Sequence, residues 1–362
     1  MNIRIPVYRP SLRGNERKYV NECLDSSWIS SKGEYIGRFE EHFSRYVGAD
    51  FSVSTCNGTV ALHLALVTLG VGPGDEVIVP TLTYIASVNS IAYTGATPVF
   101  VDSTASDWQI DPADVKAKIT PRTKAIMVVH LYGHPCDMDA LTAIAKEHGL
   151  FLVEDCAEAL GTLYKGRHVG TFGDISTFSF FGNKTITTGE GGMVVTNDPT
   201  LFNRALQFRG QGLAQYRQYW HDIIGYNYRM TNICAAIGMA QLEQADIFLS
   251  KKRQIVDWYI GHLGDRVEHH GEMPGCRHSY WMFTILVSAM EKRDELRGRL
   301  ADAGVETRPM FYPVHTMPMY SKKFMRHPVA EGLAWRGINL PSFPDLTEED
   351  VAYISGIIMK FS

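Results

Sequence analysis

Residues 125–155 read AIMVVHLYGHPCDMDALTAIAKEHGLFLVED. The runs at 125–130 and 150–155 are short and mostly apolar, and the segment between them carries helical periodicity over 138–148. A strand, a helix and a second strand in this order form a unit of a parallel sheet. The same alternation extends in both directions. Strand-like runs precede it at 51–55, 76–80 and 97–102 and follow it at 175–180 and 191–196, with helical patterns at 59–69 and 86–93. Strands apolar on both faces and spaced by helices predict a mostly parallel, seven-stranded α/β sheet covered on both sides. The last two runs meet without a helix between them, so one of them is expected to run antiparallel.

Beyond the sheet, residues 232–263 read as one long helix in which Ile233, Ile237, Ala240, Ile247, Ile255 and Tyr259 recur near helical period. A strand at 280–287, a helix at 293–303 and the segment RPMFYPVHTMPMY at 308–320 complete a smaller α+β unit. The expected division is an N-terminal segment and large domain over 1–245 and a smaller C-terminal domain over 246–362. A chain of 362 residues is long enough for two domains at roughly 150 residues each.

Composition narrows the function classes. Apolar residues make up 45% and charged residues 20%, which argues against a disordered or disulfide-scaffold chain. The 35 Lys and Arg against 39 Asp and Glu leave a net charge of -4, with no basic excess for nucleic acid or an anionic membrane. No apolar stretch has the length of a membrane span or signal-peptide core, so a cytoplasmic protein is expected. The six cysteines contain no CxxC pair. His269, His270 and His278 lie near Cys276 in a Gly/Pro loop pattern without tetrahedral-site spacing, so no metal is expected.

Three features point to one kind of ligand. Asn57-Gly58-Thr59 follows a strand and opens a helix, where amides and dipole favour an anion; capping is the plainer use of the same residues. Asp155 closes a predicted parallel strand at its carboxyl end, where open α/β sheets place ligands. Its neighbour Glu154 should point to the opposite face, leaving one of the two free to be a surface acid. Lys184 lies among Phe178, Phe180, Phe181 and Gly182, with Ser179 before it and a Gly-rich turn after it, which suggests a confined amine. Desolvation lowers the pKa of such an amine and frees it as a nucleophile. An anion cradle, a strand-end carboxylate and a confined lysine are together what pyridoxal 5'-phosphate requires for its phosphate, its pyridine nitrogen and its aldehyde.

The blocks VPTLTYIASVNSI, VHLYGHPCDMDAL, VEDCAEALG, FSFFGNKTITTGEGGMVVTND, GYNYRMTNICAAIGMAQLE and RPMFYPVHTMPMY resemble the fold-type I nucleotide-sugar aminotransferases known as DegT/DnrJ/EryC1/StrS. The resemblance runs over nearly the whole chain. It implies a pyridoxal-phosphate enzyme in which Lys184 carries the cofactor and moves the proton, and Asp155 pairs with the pyridine nitrogen. It also implies that Gly58, Thr59 and Ser179 hold the phosphate, Tyr84 stacks on the ring and Glu158 lies near it. Asn227 would reach the phosphate from a neighbouring subunit, implying a homodimer with shared active sites, or a tetramer built on it.

Trp28, Ser30, Ser31, Arg308, Tyr312 and His315 match regions that face the sugar nucleotide in relatives, with core packing as the alternative for Trp28, Tyr312 and His315. The FFGNKTITTGEGG and WISSKG segments are similar to the branch that makes GDP-perosamine from GDP-4-keto-6-deoxy-D-mannose and L-glutamate for surface polysaccharide. A dTDP- or UDP-linked keto sugar is the alternative substrate. Sugar 3-dehydratases of the same family carry His at the lysine position, unlike Lys184. A nicotinamide oxidoreductase is disfavoured because Gly70-Val71-Gly72-Pro73-Gly74 follows a helix, and Gly210-Gln211-Gly212 has Gln215 where the third glycine belongs. A cofactor-free binding protein would stay colourless with pyridoxal phosphate.

Overall fold

The computed structural model describes residues 3–321 and 324–361. Seven strands form one sheet in the order Phe51–Thr55, Gly192–Thr196, Ile175–Ser179, Phe151–Asp155, Thr123–Val129, Glu76–Pro80, Thr97–Val101. Gly192–Thr196 is antiparallel to both its neighbours, and the other ladders are parallel. Successive residues alternate between two cores: Ala125 and Met127 pack on one side, Ile126 and Val128 on the other. This is the period of two that a doubly covered strand imposes.

Helices Glu34–Val47, Met138–His148 and Asn232–Leu242 cover one face through Phe39, Phe43, Leu141 and Ala236. Gly58–Thr68 and Ile85–Tyr93 cover the other through Leu62, Ala65, Val88 and Ile91. Gly58–Thr68 starts where the chain leaves the strand Phe51–Thr55, and Asn57 caps it by accepting from Val60 N at 3.0 Å. Among the described residues no helix is long and apolar enough to cross a membrane.

The helix expected over 232–263 is broken in two, Asn232–Leu242 and Ala245–Leu263. At the break Gln244 N bonds to Gln241 O in a tighter turn, and the Glu243 carboxylate is held by Asn15 Nδ2 at 2.7 Å and the Tyr19 hydroxyl at 2.6 Å. After it, a four-stranded antiparallel sheet runs Glu268–His269, Phe283–Leu286, Gly337–Leu340, Arg308–Pro309. Helices Ala245–Leu263, Met290–Asp302 and Glu348–Phe361 back it around Ile255, Tyr259, Phe283, Leu296, Leu340 and Ile354.

Two parts of the fold depart from the sequence reading. Ile5, expected with the large domain, bridges to Val305 and lies in the smaller core. The expected loop around His270 and His278 is packed: His270 stacks on Trp108 at 4.4 Å and His278 on Tyr280 at 3.8 Å. Cys276–Arg277 joins Leu163–Tyr164 and Arg167–His168 in a small three-stranded sheet.

Lys252 is fully buried beside the smaller core, its Nζ donating to Ser342 O at 2.7 Å. Burial pushes its pKa from 10.5 down to about 7. Above the unfolded value the amine is neutral in both states; as pH falls toward the folded value, the unfolded chain takes up the proton first and the fold loses stability. Lys252→Met should therefore become more stable relative to the unaltered chain as pH is lowered from about 10 to about 7. Urea midpoints across that range measure it, and a difference independent of pH would contradict a neutral buried amine.

Candidate active site

The carboxyl ends of the parallel strands open into a cleft of about 600 Å³. Asp155, the last residue of Phe151–Asp155, enters it. Its Oδ1 accepts from Ala157 N at 3.0 Å and its Oδ2 from the Ser87 hydroxyl at 2.8 Å. Burial raises its pKa, against the opposing effect of these two donors and the Lys184 charge. Such a carboxylate gains from a cationic partner in the cleft.

Glu154 points to the opposite face as strand alternation requires, yet it is not a surface acid. It is fully buried and accepts from the amides of Gly170, Phe172 and Gly173, each at 2.7 Å, with His130 Nε2 at 3.1 Å. These contacts consume its charge in holding the chain after the small hairpin, so the division of labour between the adjacent acids is structural against site-facing.

Lys184 sits on a loop folded by its own hydroxyls. Thr187 Oγ1 donates to Phe180 O at 3.0 Å and accepts from Gly189 N at 2.9 Å, and Gly189 takes a positive φ of 82° that favours glycine. The Lys184 Nζ lies 3.9 Å from Glu158 Oε1 and 3.8 Å from the centre of the Trp281 ring. Burial lowers the lysine pKa, while Glu158 and Asp155 raise it. Burial pushes Glu158 up to about 7, opposed by Lys184 and by Tyr132 N, which donates to its Oε2 at 2.7 Å. Burial thus shifts both groups toward their neutral forms while each favours the charged form of the other, which suits acid-base work.

The walls around the lysine differ from those expected. Phe178 and Phe180 are buried in the core against Phe43, with Phe180 also against Phe39. Phe181 does line the cleft. The ring beneath the amine is Trp281, distant in sequence and carrying no local signal of its role. Ser87 was also missed; nothing in its helix marks it as the partner of Asp155.

At the opposite end, Gly58 and Thr59 open the helix Gly58–Thr68 with amides that have no partner among the described residues. A Cβ on Gly58 would lie 2.7 Å from Ser179 Cβ and 2.8 Å from its Oγ, so only glycine leaves this cradle intact. Tyr84 is 57% exposed on the rim, with its ring 5.6 Å from that of Phe311. Amides and a hydroxyl for a phosphate, a buried carboxylate for a pyridine nitrogen, an aromatic rim and a confined amine fit pyridoxal 5'-phosphate.

Of the expected residues, the cleft gathers Gly58, Thr59, Tyr84, Asp155, Glu158, Ser179, Lys184 and Arg308. It does not gather the others. Asn227 lies outside its lining, accepting from Arg229 Nε at 3.1 Å and Nη2 at 3.0 Å. Trp28 is 56% exposed, which removes core packing as its role, and lines a separate groove of about 460 Å³ with Glu22 and Tyr35. Ser30 and Ser31 are in neither lining; Ser30 O accepts from the groove residue Asn232 N at 2.6 Å. Tyr312 packs on Trp335 at 5.2 Å. His315 is buried, its Nδ1 2.7 Å from Thr81 Oγ1 and its Nε2 3.5 Å from Glu331, so within this chain it serves packing.

Comparison with known proteins agrees with this geometry. The DegT/DnrJ/EryC1/StrS aminotransferase family pattern matches residues 10–359. A protein named GDP-perosamine synthase from Escherichia coli O157:H7 is 65% identical over 357 residues, covering 99% of this chain and 98% of its own. One of the same name from Vibrio cholerae is 50% identical over 362 residues, covering 99% of each. The solved structure titled putative sugar aminotransferase Spr1654 from Streptococcus pneumoniae, PLP-form, is similar with a TM-score of 0.93 at 29% identity, covering 100% of both chains.

Glu158 supplies the nearest negative charge to the amine, so Glu158→Gln should lower the Lys184 pKa further. The pH dependence of Lys184 acylation in the cofactor-free protein, followed by peptide mass analysis, measures it. A midpoint that stays or rises would contradict the pairing.

Proposed function

The chain belongs to the DegT/DnrJ/EryC1/StrS aminotransferase family, and from that premise we propose that it converts GDP-4-keto-6-deoxy-D-mannose and L-glutamate to GDP-perosamine and 2-oxoglutarate. It is a pyridoxal-phosphate-dependent aminotransferase. The observation that carries the choice of sugar is the 65% identity, over almost the full length of both chains, to a protein named GDP-perosamine synthase.

Bound pyridoxal phosphate supplies an electron sink for the carbon that loses its proton. The protein supplies the rest. Gly58, Thr59 and Ser179 would bind the phosphate, and Asp155, fixed by Ser87 and Ala157, would keep the pyridine nitrogen protonated. Tyr84 confines the ring from the rim. Lys184 Nζ would hold the cofactor and is the base placed to take the proton from the α-carbon of glutamate. With the keto sugar in the cleft, the same amine would be the group that carries a proton to C4 of the sugar. Glu158 sets the charge of that amine. Glutamate and the sugar nucleotide use the cleft in turn, 2-oxoglutarate leaving before the sugar is aminated.

Arg308 on the cleft lining suits a substrate carboxylate or diphosphate. Asn227, Trp28, Ser30 and Ser31 lie away from this chain's own cleft, which supports a homodimer whose subunits complete each other's sites. Tyr312 and His315 then support the wall that faces the sugar. The product enters surface polysaccharide synthesis in the cytoplasm.

Purified protein given L-glutamate and equal concentrations of GDP-4-keto-6-deoxy-D-mannose and UDP- and dTDP-linked keto sugars should aminate the GDP-sugar with the highest kcat/KM, read by mass spectrometry of the nucleotide sugars. Faster turnover of a UDP- or dTDP-sugar would overturn the substrate while leaving the aminotransferase intact.

A further inference from the structure

Two successive carbonyls of the lysine loop are taken by side chains from outside the large sheet. Trp281 Nε1 donates to Asn183 O at 2.7 Å, and the Tyr8 hydroxyl donates to Lys184 O at 2.5 Å. Trp281 lies just before the strand Phe283–Leu286 of the smaller domain and is buried. Tyr8 lies on the N-terminal segment, which that domain holds: Ile5 bridges to Val305, and Val7 N donates to Glu306 Oε2 at 3.0 Å. Behind Tyr8, the Lys252 Nζ lies 5.5 Å from the centre of its ring. Burial holds the Tyr8 phenol well above its ordinary value, so it stays a donor across the working pH range.

A lysine amine at the end of four rotatable bonds is placed only as well as the backbone beneath it. The loop's internal bonds fix Phe180 through Thr187 and Thr188, and Lys184 N bonds to Phe181 O, but the carbonyls of Asn183 and Lys184 face outward. We infer that Tyr8 and Trp281 are positioning residues that clamp these two carbonyls, so that the N-terminal segment and the smaller domain together aim the Lys184 amine into the cleft. Trp281 acts twice, since its ring also lies 3.8 Å from the amine. The inference rests on the role of Lys184 in the proposed function. It adds two residues, 273 positions apart in sequence, that no local pattern marks (Trp281 and Tyr8 by their numbers).

Tyr8→Phe removes the hydroxyl and keeps the ring; Trp281→Phe removes the N–H and keeps an aromatic face. In each cofactor-free variant, Lys184 acylation with acetic anhydride across a pH series should titrate about one pH unit closer to an ordinary lysine, because a loosened amine reaches water. In the loaded enzymes kcat should fall about tenfold with the KM for glutamate within about twofold, as expected for lost alignment rather than lost binding. An unmoved Lys184 titration together with unaltered kcat in Tyr8→Phe overturns the clamp. Should Trp281→Phe fail to fold, Tyr8→Phe alone decides, since it deletes a single oxygen from a half-buried ring. Lys184→Ala separates the two levels: turnover retained there overturns the role of the lysine itself, whereas turnover lost there with an unmoved Tyr8→Phe overturns only the clamp.

Discussion

An amine held out of water beside a carboxylate is the constraint to which the rest of this structure answers. Lys184 Nζ lies 3.9 Å from Glu158, which burial has already raised to about 7. Neither group is solvated enough to be indifferent to the other: burial lowers the lysine and raises the carboxyl, and each opposes the shift of its partner. Such an arrangement is unfavourable for folding unless the surroundings fix it. Those surroundings are Tyr132 N on the carboxylate, the Trp281 ring under the amine, and the loop hydroxyls of Thr187 and Thr188.

The sheet makes that arrangement possible. Parallel strands bring Asp155 and the start of the lysine loop after Ser179 to the same end, one ladder apart. The helix Gly58–Thr68 begins at that end too, with its first amides against Ser179, so the anion cradle and the lysine are fixed to one rigid layer. The antiparallel strand Gly192–Thr196 returns the chain directly from the loop and seals its base through Phe180 N and Gly191 O at 2.8 Å. Trp281, just before the strand Phe283–Leu286, and Arg308, in the strand Arg308–Pro309, line the cleft from the four-stranded sheet.

Much of this was legible in the sequence because it depends on local pattern. Apolar runs spaced by helices gave the seven strands, and the antiparallel run of one of the last two, Gly192–Thr196, followed from the missing helix before it. Asp155 and Gly58, read from residue type at strand and helix ends, and Lys184, read from its aromatic and Gly-rich neighbours, all line the one cleft. What stayed hidden depends on distant contacts. Phe178 and Phe180 flank the lysine in sequence, but strand alternation sends them to the core, while Trp281 arrives from beside the four-stranded sheet. Glu154 read as a candidate surface acid because nothing local shows the three amides that bury it. The break at Glu243 and Gln244 was invisible because the helical period continues across it, and the residues that hold Glu243 there, Asn15 and Tyr19, are distant in sequence.

The central claim is that Lys184 carries the cofactor of an aminotransferase. Purified protein saturated with pyridoxal phosphate, reduced with borohydride and digested should yield a phosphopyridoxyl group on the peptide containing Lys184, with loss of the visible absorption band on reduction. No such band, or a tag confined to other lysines, would contradict the account.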